Sequence, residues 1–321
     1  MNWFRFCGVL ALVTFLFPAS FAEGDSHSLL RAGKADAAIT ELNAHIEKNP
    51  SDADAFNLLC RVYYQLERWD DAIRAAEHSV ALSPETSEYH QWLGRSYGRK
   101  AEASGPIGAF SLVRKVKNEF ERAVALGDNN ISAHADMAEF YIEAPGFMGG
   151  DKAKAKALGE FIMKSDPALA HYTFGHLEEK RGNKAKAEEE YKAAISSSND
   201  LPRYWINLAA FYRHAGRISD MQSAVESSLN SSRKDNLALF DGATNLLKAG
   251  RNFPGAEQML RRYLASNEPD EEAPVFQAHY LLGVLLEKQG SRQEASGEYR
   301  AALAIASRFR PAQDALTRFS R

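Results

Sequence analysis

Nine histidines and forty-two carboxylates are the side chains here best able to hold a metal or move a proton. The histidines are His27, His45, His78, His90, His134, His171, His176, His214 and His279. No two are four residues apart, the spacing that sets two imidazoles on one helical face, and His-Glu-x-x-His does not occur. His171 and His176 are five apart and point in different directions. Glu178-Glu179 and Glu188-Glu189-Glu190 read as solvated charge runs. Serines are frequent, but no nucleophile elbow is expected among them. Gly149-Gly150 ahead of a helix would offer free backbone N–H groups to an anion. No full phosphate-loop pattern surrounds them, and Asp151 would repel a phosphate. No catalytic residue, metal ligand or cofactor is expected. What remains is recognition: Arg61, Arg95, Arg99, Arg203 and Arg213 could pair with acidic ligand groups.

Those side chains must be positioned by helices, because a helical pattern returns about every 34 residues. It is plainest from Ala53 to Thr86, where Phe56, Leu59, Cys60 and Tyr63 form one apolar stripe. Trp69, Ala72 and Ala76 form the next, and Pro84 closes the unit. The pattern restarts at Ser87, Ile131, near Ala168, near Pro202, about Asp235 and near Phe276. A partial unit precedes it, with a short helix from about Ser26 to Ala32 followed by Ala38, Leu42 and Ile46. The tail from Pro311 reads as a short capping helix. Such a period means paired helices stacked on like neighbours, about seven to eight repeats in all. One unit cannot bury its apolar face alone, so an elongated all-α array is expected. Two stretches break the rhythm: about ten extra residues near 99–115, and about five at 143–150.

These residues resemble the tetratricopeptide repeat. Trp92, displaced from the usual position, with Leu93, Gly94 and Tyr97, is similar to the first half of its motif. Ala187, Tyr191 and Ala194, and again Ala295, Tyr299 and Ala302, are similar to the second half. The resemblance covers about Ser26 to Ser307. It implies a right-handed superhelical solenoid whose concave face is lined by the first helix of each pair. It implies protein or peptide partners and no enzyme activity. On that face, helical spacing selects Asn57, Arg61 and Tyr64 in the second unit and Gln91, Arg95 and Arg99 in the third. It selects Tyr172 and His176 in the fifth, Arg203 and Arg213 in the sixth, and Tyr280 in the last. Some family members clamp a terminal carboxylate with Lys, Asn and Arg. Asn57 and Gln91 depart from that pattern, so no such clamp is expected. The second binding candidate is the turn carrying Phe147 and Met148: an apolar tip that docks a partner, or a Phe147 that packs back on the fourth unit. Two other functions stay open, a module for glycan or small-molecule fragments and an enzyme with dispersed catalytic groups.

Arg5, the apolar run from Val9 to Phe17, and Ser20-Phe21-Ala22 have the form of a secretory signal cleaved after Ala22. The alternative is an uncleaved anchor, for which the run is shorter than the roughly 20 residues a spanning helix takes. Residues 23–321 would then form one array, in the periplasm or secreted, without an integral membrane segment. Cys60 would be its one cysteine, so no internal disulfide can form. A helix contact that admits only a small side chain is its expected place. The net charge of -3 gives no reason to propose nucleic acid as a partner.

Overall fold

Three units open where a short polar side chain closes the first turn of the first helix. Asp52 accepts from the Ala55 amide at 3.1 Å, Asn130 from Ala133 at 3.0 Å, and Asp166 from Leu169 at 2.9 Å. Pro167 and Pro202 stand at first helical positions, where no N–H is missed. The computed structural model describes residues 24–266 and 268–319. Its helices pair into hairpins: α1 (Gly24–Arg31) with α2 (Ala35–Lys48), α3 (Ala53–Gln65) with α4 (Trp69–Leu82), and α5 (Ser87–Ala103) with α6 (Pro106–Leu126). Then come α7 (Ile131–Glu143) with α8 (Lys152–Ile162), α9 (Pro167–Lys180) with α10 (Lys184–Ser197), and α11 (Pro202–His214) with α12 (Ile218–Asn230). The last pairs are α13 (Asn236–Ala249) with α14 (Phe253–Ala265) and α15 (Val275–Lys288) with α16 (Arg292–Ile305), followed by α17 (Arg310–Phe319). Among the described residues there is no β-sheet, and the fold is an all-α solenoid of helical hairpins. The expected leader at residues 1–22 lies outside the described residues.

The motif residues do the stacking. Ala187, Tyr191 and Ala194 are buried, as are Ala295, Tyr299 and Ala302. Gly94 lets the third hairpin close, since a Cβ there would sit 2.6 Å from the Phe120 ring. Cys60 is fully buried beside Ser96, and burial pushes its thiol up to about 12. It is a core residue.

The first departure from the period adds no loop. It lengthens the third hairpin, so that α5 has 17 residues and α6 has 21. The second departure is a single 3-10 turn, Gly146–Met148. The chain then reverses so tightly that a Cβ on Gly150 would lie 1.7 Å from the Ala144 carbonyl oxygen. Asp151 accepts from the amides of Ala153 and Lys154 and starts α8.

The expected elongated array is not what forms: the solenoid curls until its ends meet. Leu30, Ala35 and Leu42 share one core with Phe276, Ala302, Phe309 and Ala312. Gly33 abuts the Val275 backbone, and the Ser307 amide donates to Asp36 at 2.8 Å. Gln277 donates to the Gln65 carbonyl at 2.7 Å, and Gln65 donates to the Glu271 carbonyl at 3.0 Å. The physical reason is that a terminal repeat leaves an apolar face without a neighbour. Here each end covers the other.

Candidate functional site in the ring interior

The first helices pack side by side in the order α3, α5, α7, α9, α11, α13, α15. Their inner faces enclose two cavities of about 740 and 450 Å³. Arg95, Asp136, Glu139 and Glu272 line both, so the two are one continuous interior. The larger cavity has an aromatic wall. Tyr64 meets Trp69 and Trp92 edge-on at 5.4 and 5.5 Å. Arg61 and Arg95 lie over Trp92 at 5.2 and 4.8 Å, and Arg99 lies over Trp69 at 5.2 Å. Opposite stand Val113, Val116, Phe120 and Phe140. The rim is built by both departures from the repeat: Ala109 and Val113 from the lengthened α6, Pro145 and Met148 from the second insertion.

The spacing-selected residues divide into four groups. Arg61, Tyr64, Arg95 and Arg99, with Met148, line the larger cavity. Tyr172, His176 and Arg203 line the smaller one. Tyr280 lies between Tyr299, tilted at 5.7 Å, and Phe309, edge-on at 5.4 Å, near the seam, and Arg213 binds Asn245 farther along the interior. Asn57 and Gln91 require a correction, because both are buried rather than presented on an open face. Each lies where one first helix meets the next: Asn57 reaches Glu88 at 3.5 Å, and Gln91 donates to Ser132 and Asp136 at 2.8 and 2.7 Å. Phe147 does not pack back on the fourth unit; it is 80% exposed.

Four of the five arginines find carboxylates inside the chain; Arg213, on Asn245 and beside His214, does not. Arg61 forms a two-pronged pair with Glu271, at 2.8 and 2.5 Å, and reaches Glu88 at 3.0 Å. Arg95 grips Asp136 the same way at 2.6 and 3.1 Å, Arg203 holds Asp235 at 2.7 Å, and Arg99 pairs with Glu102 at 2.5 Å. Burial alone would lower the Arg95 pKa, but Asp136 outweighs it and raises it. His176 meets Glu143 at 2.8 Å, and that bond, helped by Lys180, holds the Glu143 carboxyl down at about 2.

Of the interior carboxylates, helical spacing selects Glu139 in the fourth unit but not Asp241 or Glu272. Among the described residues, Glu139, Asp241 and Glu272 have no ion-pair partner within 4 Å. Burial raises all three from their ordinary values, Asp241 to about 7 with Glu272 and Asp235 adding to the effect. The signal was an excess of acids among first-helix and loop positions, which helical spacing alone does not rank.

Gly94-Arg95-Ser96-Tyr97-Gly98 has the spacing of a nucleophile elbow, contrary to expectation. It runs through the middle of α5 instead of a strand-to-helix turn. Ser96 is fully buried and donates to the Trp92 carbonyl at 2.8 Å, so it is no nucleophile. Among the described residues no group of three or more His, Cys, Asp and Glu could hold a metal ion. No described helix is long and apolar enough to cross a membrane.

Tetratricopeptide repeat models match residues 29–95, 168–201 and 240–311. A cytochrome c-type biogenesis protein, CycH, of Bradyrhizobium diazoefficiens is 31% identical over 154 residues, 48% of this chain. That match spans 38% of the CycH length. A tetratricopeptide repeat protein of Parabacteroides merdae is 14% identical, with 82% of this chain and 96% of that one covered and a TM-score of 0.49. A thermophilic repeat protein of Thermus thermophilus is 22% identical, with 61% and 99% covered and a TM-score of 0.46.

Proposed function

Because the chain belongs to the tetratricopeptide repeat family, a non-catalytic scaffold for protein–protein interaction, we propose that its ring interior holds a segment of a protein partner. The carrying observation is that both departures from the repeat converge on the rim of the 740 Å³ cavity that the first helices line. An apolar side chain of the partner would rest among Val113, Phe120 and Met148. Glycan stacking is disfavoured, because arginines already cover Trp69 and Trp92. The partner is met in the periplasm or outside the cell, a reading that Arg5, Val9 to Phe17 and Ala22 support.

A photo-crosslinking residue in place of Met148 or Val113 tests the site. Each should capture a partner in the native compartment that the same probe at Leu82, exposed on α4, does not. Equal capture from Leu82, or none from the interior, would sink the proposal. The similarity to CycH supports a second reading, in which the partner is a c-type cytochrome under assembly. Its test is whether a cytochrome c polypeptide is among the captured chains.

A further inference from the structure

We propose that the edge formed by the turns of hairpins four and five docks on an anionic lipid surface. α7 and α9 pack side by side, each the first helix of its hairpin, and contacts between Lys152 and the Lys180–Arg181 turn place their closing turns on one edge. The turns abut: Lys152 Nζ donates to the Lys180 carbonyl at 2.9 Å, and Arg181 reaches the Lys152 carbonyl at 3.5 Å. Phe147 projects from this edge, 80% exposed, the most exposed large apolar side chain among the described residues. On the helices that these two turns open and in the second turn itself, Lys152, Lys154, Lys156, Arg181, Lys184 and Lys186 are all exposed.

Helix stability does not account for these cations. Lys152 and Lys154 open α8, and Lys184 and Lys186 open α10. The partial positive charge of a helix N-terminus disfavours lysine there. Nor do the neighbouring acids neutralise the outer layer. Asp151 is spent on the first amides of α8, and Glu143 on His176 and Lys180. Glu178 is buried beneath Arg181 and Lys186, and Glu160 takes Lys156 at 2.9 Å. Lys152, Lys154 and Lys184 have no carboxylate partner within 4 Å among the described residues; Lys152 donates to the Lys180 carbonyl and Lys154 lies over the Tyr141 ring at 5.4 Å, so their charges stay uncompensated. The whole chain carries -3, so this edge runs against the average.

A projecting ring amid lysines fits a bilayer interface. The ring enters at headgroup level while the ammonium groups meet lipid phosphates. An acidic protein would also attract the lysines, but it would need a pocket shaped to the convex tip. A bilayer needs none.

The test is sedimentation of the full chain with phosphatidylcholine vesicles, with and without phosphatidylglycerol, at low and high salt. We expect excess binding on the anionic vesicles that high salt abolishes. Joint Lys152→Glu, Lys154→Glu and Lys184→Glu substitution should reduce that excess at least about tenfold. Phe147→Ser should reduce it several-fold, and thermal melts of both variants should match the parent. No excess on anionic vesicles, or an excess untouched by these substitutions, would overturn the proposal. Retention on polyglutamate without vesicle binding would overturn it too and assign the edge to an acidic protein.

Discussion

Glu271→Gln should loosen the ring at its seam. Glu271 stands in the connection before α15, and Arg61 stands on α3, so their pair ties the eighth hairpin to the second. The side chains are 17% and 22% exposed, between the surface and buried cases. Exposed pairs contribute about 0.2–1 kcal/mol. Removing one partner from a fully buried pair costs about 3–5 kcal/mol. Arg61 keeps Glu88 at 3.0 Å, which limits the loss. We therefore expect about 2 kcal/mol, or a melting point lower by about 3–6 °C. Melting of Arg61→Met, Glu271→Gln and the double variant gives the coupling directly. The coupling should exceed about 1 kcal/mol, and the radius of gyration from small-angle scattering should rise in each single variant. Additive single effects with an unchanged radius would refute the seam as an ionic latch, leaving closure to Leu30, Phe276 and Phe309 alone.

Gly94→Val should destabilise the third hairpin by about 2–3 kcal/mol, because the new side chain overlaps a Phe120 ring 2.6 Å from its Cβ. Adding Phe120→Leu should restore part of that loss in a thermal melt; no restoration would mean the strain lies elsewhere. Asp241 has its carboxyl raised to about 7, so its contribution to stability is fully present below the unfolded value near 3.8 and is lost as pH rises through 7. Asp241→Asn should thus gain about 1–2 kcal/mol relative to the parent at pH 8 and nothing at pH 4. Parallel melting curves for the two proteins across that range would contradict the assignment.

What was legible in the sequence is what repeats. Gly94, Ala187, Tyr191, Ala295 and Tyr299 meet the same packing demand in different units, so periodicity exposes them and the helix pairs with them. Closure has no such signature. It rests on single encounters such as Arg61 with Glu271 and Asp36 with Ser307, more than 200 residues apart in the chain. For the same reason the arginines were visible but their partners were not. Helical spacing reports which residues share a face, while Asp136 and Asp235 reach Arg95 and Arg203 from neighbouring hairpins. That pairing inverts the expected preference of the interior. With Arg61, Arg95 and Arg203 engaged, Glu139 and Glu272 are cavity-lining carboxylates without an ion-pair partner among the described residues, and Asp241 stands near Glu272. At Arg61, Arg95 or Arg203 an acidic segment would have to displace an internal carboxylate before it could bind. A basic side chain would instead relieve the mutual repulsion of Asp241 and Glu272, and need break no existing pair. Because the seam closes the ring, such a segment must enter from an open edge unless Arg61 first releases Glu271.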